Sequence, residues 1–535
     1  MTDTFNLLDE PWIRALDSSG TEVSLSLTEV FGEAHRLTRL LGDVPTQEAA
    51  ILRLLLAVLY RATPVDERDP VEVWREMWER GCFDERPAAY LQQWRHRFDL
   101  LDPVAPFMQV SGLHTAKGEF KSLAQMVADI PPEKSHQFFT TRSLASLTRM
   151  QLPDAARWIV HTQAFDPSGI KSGAVGDNRV KGGKGYPIGV GWVGNLGVLL
   201  IEGRSLYETL LLNLVLDADN LEDSAVWERE PLGPGEERRS KPGPAGTADL
   251  LTWPSRRLRL VVVDGAASEV LICNGDPLHP RNQHRFEMMT SWRRSEPQEK
   301  ATGLARVLMP RTHTPGRAIW RSLGATLALD SQGVPGAGQR AGTLRWLGDL
   351  KRSRCLADDE RVGLHAVGIA YGSNNSVIDD IYDDRLSAAF GVLADSGLQC
   401  LAIAAVEDAD HACRALGDLA RNLELAAGGS GDAAAEDARA TGYATLDDPY
   451  RRWLASLAPG QPVDPVRSQW QRFVRGAVTE IGRDLVGRSG MPAWLGREIN
   501  TRTYSGFMNS AIAEIRFASA LRRALPTDPS EREHE

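Results

Sequence analysis

The feature that most limits the fold is a glycine-rich, basic segment between residues 165 and 194. Nine glycines fall there, where the 48 glycines of the 535-residue chain predict about three: residues 169, 173, 176, 182, 183, 185, 189, 191 and 194. Each glycine weakens regular structure and lets main-chain N–H groups approach a ligand closely. The charged side chains are two acids and four bases: Asp166, Asp177, Lys171, Arg179, Lys181 and Lys184. We therefore predict a positively charged loop that faces phosphate or a nucleic-acid groove, although the whole chain has a net charge of −10.

Length and composition are those of a globular protein. With 535 residues, 42% hydrophobic and 25% charged, the chain can bury one large core and a second, smaller one. The sequence has no apolar run of about 18 residues, and residues 1–10 lack the basic residues of a signal peptide. Its cysteines show no CxxC pair and no histidine at a metal-ligand spacing: Cys82, Cys273, Cys355, Cys400 and Cys413. We expect a cytoplasmic protein with no membrane partner, no metal and no cofactor.

Residues 1–380 carry mixed patterns. Short apolar runs at 258–263 and 269–273 predict strands, and they alternate with helical stretches and Gly/Pro-rich breaks. Residues 47–60 form one helical pattern whose apolar positions cover nearly the whole circumference, so that helix must be buried. The expected fold class is α+β, with a large mixed domain over residues 1–380.

Residues 381–535 are predicted to form a C-terminal bundle of four helices. After about Tyr382 the β signals end, and helical patterns follow at 385–393, 398–427, 464–485 and 508–525, with a polar run at 428–448. Asp464 and Pro465 are typical of a helix start. Two apolar stripes are expected to face the core: Val466, Trp470, Phe473, Ala477, Ile481 and Leu485, and Met508, Ile512, Ile515, Ala518, Leu521 and Leu525.

The usual catalytic motifs are absent from the sequence. We find no GxxxxGK[ST], HExxH or GxSxG, and no kinase or deaminase signature. An acidic cluster could hold Mg²⁺, but we interpret it as the solvated start of a helix: Asp379, Asp380, Asp383 and Asp384.

Two short segments combine side chains suited to nucleic acid. In residues 135–142, adjacent aromatic residues lie beside Arg142 and can stack on unpaired bases; plugging a core is an equal alternative. In residues 372–376, amide side chains follow a strand-like run at 367–371. Such amides can read base edges or wedge between strands, although Asn-rich turns are common.

Several blocks of sequence, taken in order, resemble one family. They are Phe5-Asn6-Leu7-Leu8-Asp9-Glu10-Pro11-Trp12-Ile13, Pro106-Phe107-Met108-Gln109, Ser168-Gly169-Ile170-Lys171-Ser172-Gly173 and Asn374-Asn375. Followed by a C-terminal bundle, they resemble CasA, the large subunits of the type I-E CRISPR surveillance complex called Cascade. Each motif is short and weak, but the shared order spans nearly the full chain.

The resemblance implies roles for two loops. A glycine loop enters the minor groove of the PAM, the short motif that flanks the target, and the matching residues are Ser168, Gly169, Ile170 and Lys171. A wedge under the first base pair starts strand separation, and the matching residues are Asn374, Asn375 and Ser376, with Asn375 where a glutamine is typical. Glycine suits a groove about 6 Å wide with a degenerate pattern of donors and acceptors.

The resemblance also implies further contacts and partners. A loop that docks on guide RNA and neighbouring subunits matches His136, Gln137, Phe138, Phe139, Thr140 and Arg142. A basic side chain that reaches the PAM is either Arg281 or Arg285. Because only Cys273 stands where some relatives carry a cysteine-rich insertion, no zinc is expected. The implied partners are the other Cascade subunits with guide RNA, double-stranded target DNA and an effector nuclease-helicase.

The implied function is that of a non-catalytic subunit, with two hypotheses from other classes beside it. One is an enzyme acting on nucleotides or nucleic acid that uses the glycine-rich loop as a phosphate cradle. The other is a scaffold whose glycines only allow close packing. A bulky residue at Gly169 separates scaffold from groove reader, because a scaffold loses stability whereas a groove reader stays folded and loses flank-dependent binding.

Overall fold

The computed structural model describes residues 4–65, 68–130, 140, 147–217, 222–236, 243–327, 338–500 and 504–526. The chain divides into two compact units. The first comprises Met1–Arg317, Thr326–Cys355 and Arg361–Arg385, and the second comprises Ala318–Ala325, Leu356–Glu360 and Leu386–Glu535. The first unit mixes helices and strands and the second is mainly helical, which confirms the predicted α+β class.

The elements of the described residues are as follows. The strands are Ile13–Asp17 (β1), Glu22–Leu25 (β2), Leu37–Leu41 (β3), Lys121–Ser122 (β4), Met150–Gln151 (β5), Lys171–Ser172 (β6), Lys184–Gly185 (β7), Val198–Glu202 (β8), Arg256–Val263 (β9), Ala266–Asn274 (β10), Trp292–Arg294 (β11), Leu308–Pro310 (β12), Arg361–Tyr371 (β13), Ile378–Ala389 (β14), Arg497–Asn500 (β15) and Ser505–Met508 (β16). The helices are Leu27–Glu33 (α1), Pro45–Ala62 (α2), Pro70–Arg80 (α3), Arg86–Gln93 (α4), Leu152–Phe165 (α5), Leu206–Asn213 (α6), Thr247–Leu251 (α7), Glu296–Thr302 (α8), Leu323–Leu327 (α9), Gly342–Arg352 (α10), Phe390–Ala394 (α11), Ser396–Ala427 (α12), Asp432–Ser456 (α13), Val463–Arg488 (α14), Gly490–Leu495 (α15) and Ser510–Ala524 (α16).

Two sheets of the first unit position the loops of interest. In one, β9 and β10 form a long antiparallel hairpin, and the short strands β4, β5 and β6 also pair with β10. Strand β7 then pairs with β6 and closes the glycine-rich segment into a hairpin. In the other, the order is β14-β13-β8. A turn therefore projects at the β13–β14 junction, and a glycine loop leads from α5 into β6.

Helix α2 is the apolar centre of the first unit. It is buried on all sides, as the sequence predicts for residues 47–60, and includes the fully buried Ile51, Leu55 and Val58. A polar side chain also enters the core, where Arg53 makes two hydrogen bonds to Glu287 at 2.9 and 2.8 Å. A buried cation is tolerated there because its carboxylate partner is buried with it.

The sequence analysis was wrong about the end of the β structure. The predicted helix at 385–393 is strand as far as Ala389, and α11 begins only at Phe390. The acidic cluster at Asp379–Asp384 therefore lies on β14 rather than at a helix start. Pairing with β13 overrides the low strand propensity of aspartate. The predicted boundary between residues 380 and 381 falls inside this strand.

The helical unit has long helices at α12, α13, α14 and α16. The prediction missed α13, most of which lies in the run expected to be a polar connection. Alanine has the highest helix propensity, and the buried positions of α13 follow helical spacing: Ala435, Ala438, Gly442, Leu446, Tyr450 and Leu454.

The two predicted apolar stripes are rotated from the buried faces. On α14 the buried residues are Trp470, Gln471, Val474, Val478 and Gly482, while Phe473 is 45% exposed. On α16 they are Ser510, Ala513, Phe517 and Leu521, while Ile515 is 67% exposed. Helix α14 begins at Val463, so Asp464 lies in its first turn and makes no cap bond. Each buried face mixes large residues, such as Trp470 and Phe517, with small ones, such as Gly482 and Ala513, so that large and small side chains fit together between the helices. In the described part of the chain, no helix has the length and apolarity needed to cross a membrane.

Candidate nucleic-acid interface

The glycine loop leaves the C-terminus of α5 and enters β6. Gly169 has φ +129°, a backbone conformation that L side chains rarely adopt, so glycine is required there. The next side chain, Ile170, is 58% exposed, whereas Ser168 is buried. The loop therefore presents a bare stretch of main chain and one apolar side chain at its tip.

A buried ion cluster lies under this loop. The Asp166 carboxylate accepts from Lys171 Nζ at 2.6 Å and from Arg256 Nε at 2.5 Å. Burial alone would raise the pKa of Asp166, but the two cations outweigh it and hold that pKa below its usual value. Burial also lowers the pKa of Lys171, although Asp166 opposes this shift. The Lys171 side chain is only 16% exposed, so its ammonium is an internal counter-ion.

The amide turn between β13 and β14 has an unusual backbone. Asn374 and Asn375 have φ values of 56° and 53°, the left-handed region that asparagine tolerates better than most residues. Their side chains are exposed, as is Ser376. Internal bonds hold the turn: Asn375 N donates to Gly372 O at 2.9 Å, and Ser376 Oγ to Ser373 O at 2.8 Å. The turn therefore presents two asparagine side chains on a fixed backbone.

The glycine loop and the amide turn are in direct contact. Ser168 N donates to Asn375 O at 2.7 Å. A Cβ on Gly169 would lie 3.8 Å from Ser376 Cβ, which is ordinary van der Waals distance. The two segments that the sequence analysis singled out separately thus form one surface.

The bases of the glycine-rich segment fall into two groups. Lys171 is paired as described, and Arg179 makes a bidentate pair with Asp177 and donates to Gly275 O at 2.9 Å. Lys181 and Lys184, by contrast, are exposed, and within the described residues no carboxylate lies within 4 Å of either. They flank a tight turn in which Gly182 and Gly183 both have positive φ, as a type I′ turn needs. Within the glycine-rich segment, which the structure describes in full, the free positive charge therefore lies at the hairpin tip.

A cavity of about 1150 Å³ opens beside the loop. Its lining includes Ser168, Gly169 and Ser376 together with three exposed lysines, Lys117, Lys121 and Lys184. Lys121 has a carboxylate of Glu119 at 3.7 Å, a weak exposed pair. The cavity wall is therefore basic, which suits a polyanion.

Other predicted site residues lie elsewhere or outside the described residues. His136, Gln137, Phe138, Phe139 and Arg142 are among the residues that the structure does not describe. Thr140 is described, and its hydroxyl donates to Asp129 Oδ2 at 3.1 Å. Arg281 and Arg285 follow β10, and neither is among the described residues that line the cavity.

The sequence analysis did not single out Arg256 and Tyr371 and passed over Lys117 and Lys121. Arg256 is 1% exposed, and its Nη2 donates to the main-chain oxygens of Asp166, Pro167 and Gly189. The Tyr371 hydroxyl donates to Phe165 O at 2.7 Å. The available signal was an arginine pair at the start of a strand that is mainly apolar after it, because a buried charge in such a strand needs a partner.

Comparisons with known proteins agree with this architecture. The chain matches the family described as CRISPR-associated protein Cse1 over residues 6–481. The solved structure of Cse1 from Thermobifida fusca is 42% identical, with 98% of each chain covered and a TM-score of 0.89. The CasA/Cse1 protein of Thermus thermophilus is 34% identical over 262 residues, so the match spans 48% of this chain and about half of that relative, 49%.

A chain in a solved CRISPR RNA-guided surveillance complex is 18% identical, with 91% of this chain and 99% of that chain covered and a TM-score of 0.63. At that identity the likeness concerns the fold alone. The family match and the fold together place the protein among CRISPR-associated proteins. Within that class, the chain belongs to the Cse1 family, also called CasA.

Proposed function

We propose that this chain is the non-catalytic large subunit of a type I-E CRISPR RNA-guided surveillance complex. It recognises the PAM of double-stranded DNA from the minor groove, with Ser168, Gly169 and Ile170 as the reading loop. Asn374, Asn375 and Ser376 then act as the wedge that starts strand separation. The guide RNA reads the remaining sequence by base pairing, the general division of labour in RNA-guided recognition.

The observation that carries this proposal is the contact between the two loops. A groove reader and a wedge must act on adjacent base pairs, about 3.4 Å apart along the duplex. Ser168 N and Asn375 O are 2.7 Å apart, so the two segments are close enough to do so. Gly169 offers main chain without a side chain, and the exposed Ile170 is an apolar residue of the kind that enters minor grooves.

We assign the phosphate contacts to lysines near Lys171 rather than to Lys171 itself. Lys171 is held by Asp166, whereas Lys181 and Lys184 are exposed at the hairpin tip. Lys117 and Lys184 lie on the wall of the cavity next to the loop. Such lysines neutralise phosphates without reading sequence and set the register of the duplex.

The helical unit contacts the small subunits and helps to hold the displaced strand. An outer surface of the chain recruits the effector nuclease-helicase. These assignments rest on family membership and on the complex named for the related structure.

The test is the affinity of a guide-RNA complex for a matched duplex, with and without this chain, across a library of flanking motifs. We expect the chain to tighten binding beside a small set of flanks and to leave scrambled flanks unaffected. Equal binding beside all flanks would contradict PAM reading. Metal-dependent hydrolysis of DNA or nucleotides by the pure chain would favour an enzyme instead.

A further inference from the structure

We propose that the glycine loop and the amide turn move as one unit, so that engagement of the flank by the loop sets the position of the wedge. Arg256, Asp166, Lys171 and Tyr371 are positioning residues for that unit. This inference rests on the proposed function and deepens it, because it makes flank recognition and strand opening energetically coupled.

The first link is the bond from Ser168 N to Asn375 O at 2.7 Å. It joins main chain to main chain, so no side-chain rotation can release it. Asn375 is held in turn by its own N–H, which donates to Gly372 O. A shift of the loop at Ser168 therefore reaches the backbone that carries both asparagine amides.

A second link runs from the other side of the loop. The Tyr371 hydroxyl, at the last residue of β13, donates to Phe165 O at 2.7 Å. Phe165 is the last residue of α5, just before the loop. The β13–β14 hairpin thus holds the glycine loop at both Phe165 and Ser168.

The loop itself is stiff at its base. Asp166 and Lys171 pair across its two ends, and Arg256 binds the same carboxylate. The guanidinium also binds the main-chain oxygens of Asp166, Pro167 and Gly189. Lysine has one donor centre and no planar fork, so it cannot replace these contacts. A stiff loop transmits displacement to the turn, whereas a loose loop would absorb it.

Coupling between two sites is a free energy and acts in both directions. Flank binding that favours one position of the loop must favour the matching position of the turn. Breaking the links should therefore reduce flank-dependent strand opening more than flank-dependent binding. Loss of the fold would instead reduce strand opening and binding equally.

The test uses complexes assembled with the full chain and a target carrying 2-aminopurine at the first base pair beside the flank. Ser168→Pro removes the donor of the first link, and Tyr371→Phe removes the second. Tyr382→Phe is the matched control, because its hydroxyl also donates to a main-chain oxygen, that of Arg317, which belongs to neither the glycine loop nor the amide turn. Each variant is measured on a fully paired target and on one mismatched at the first base pairs.

We expect Ser168→Pro and Tyr371→Phe to lower opening of the paired target by about 5- to 10-fold, within the usual range of coupling. Opening of the mismatched target should recover to within about two-fold of wild type, and Tyr382→Phe should match wild type on both. Arg256→Lys should behave like Ser168→Pro, which keeps the test decisive if the proline variant does not assemble.

The outcomes separate the two proposals. If all variants open the paired target as well as wild type, the loop and the turn are uncoupled and this inference is wrong. If opening stays low on the mismatched target, the variants have lost the binding surface rather than the coupling, which also overturns it. If wild type itself shows no dependence on the flank, the proposed function fails and the inference fails with it.

Discussion

The buried Lys171 and the exposed lysines that directly flank Gly182 and Gly183 look alike in sequence but differ in what they offer a ligand. Lys171 is neutralised by Asp166 at 2.6 Å, and Arg256 shares that carboxylate. To bind a phosphate, Lys171 would have to leave a buried carboxylate unpaired, which is costly. Lys181 and Lys184 have no such constraint among the described residues.

Salt dependence of DNA binding distinguishes the two kinds of lysine. We expect Lys184→Ala, and equally Lys181→Ala, to lower the slope of log K against log salt by roughly one unit, because one released counterion is lost. Lys171→Met should leave the slope unchanged, since its ammonium already has a partner. The measurement is a titration of the assembled complex at several salt concentrations. A lower slope for Lys171→Met would return that residue to the phosphate contacts.

A second buried group, His365, links stability to pH. Its Nε2 lies 2.6 Å from Asp383 and its Nδ1 lies 3.0 Å from Glu202. Burial alone would lower the pKa of His365, but hydrogen bonds to the two carboxylates outweigh it and raise the pKa. Arg385 opposes the raised value, and Glu48 of α2 is nearby. Both ring nitrogens facing carboxylates favour the imidazolium.

The sign of the pH effect follows from the raised pKa. The stability contributed by His365 is fully present below its unfolded pKa of about 6.5 and is lost as pH rises through the folded pKa. We expect the melting temperature of wild type to exceed that of His365→Gln most at pH 6, and the difference to shrink toward pH 9. Each unit of raised pKa corresponds to about 1.4 kcal/mol. A difference that grows with pH would contradict the assignment.

At the level of elements, two of the three glycines of helix α14 lie in opposite surroundings. A Cβ on Gly482 would lie 2.6 Å from Phe517 Cε1 on α16 and 3.3 Å from Leu419 Cδ2 on α12. A Cβ on Gly476 would meet nothing within 4 Å. Gly482 thus permits close helix packing, whereas Gly476 only weakens the helix.

Alanine substitutions at these positions should act in opposite directions. Gly476→Ala should stabilise the helical unit by about 0.5–1 kcal/mol, because alanine has the higher helix propensity. Gly482→Ala should destabilise it by about 1–3 kcal/mol, because overpacking against Phe517 exceeds that gain. Thermal unfolding followed by circular dichroism at 222 nm checks both. Stabilisation by Gly482→Ala would show that α14 and α16 separate easily at that point.

For the whole molecule, the net charge is negative, whereas the charge of the candidate site is positive. The chain has a formal net charge of −10, while the wall beside the glycine loop is lined by Lys117, Lys121 and Lys184. A net negative charge repels DNA at long range, so any attraction must come from local basic patches such as this one. On the proposed function, we therefore expect tight DNA binding to need the guide RNA and the remaining subunits.

The isolated chain should therefore bind duplex DNA only weakly. We expect a Kd of roughly 10⁻⁴ to 10⁻⁶ M at physiological salt, typical of non-specific binding, with little preference among flanks. Fluorescence anisotropy with duplexes of permissive and scrambled flanks measures this. Nanomolar, flank-dependent binding by the chain alone would show that the site needs no other subunit.

The sequence alone predicted the local features of the chain, because these depend on residues that are neighbours in sequence. The glycine-rich segment, the asparagine turn and the buried helix α2 were all predicted from runs of a few residues, and helical spacing indicated the second unit. An excess of glycine weakens regular structure and exposes the main chain wherever the segment lies in the fold. The family resemblance added the roles of these segments as expectations.

Other features depend on residues far apart in sequence, and only folding brings these together. Arg256 lies 90 positions from Asp166, its partner, so no local pattern marks Lys171 as an internal counter-ion. Residues 385–389 are strand rather than helix because β13 supplies hydrogen-bond partners. The bond that joins Ser168 to Asn375 is likewise made between main chains of distant segments. The ion-pair and hydrogen-bond partners of a residue, and its packing, depend on residues that are distant in sequence. The tertiary structure alone therefore decides them.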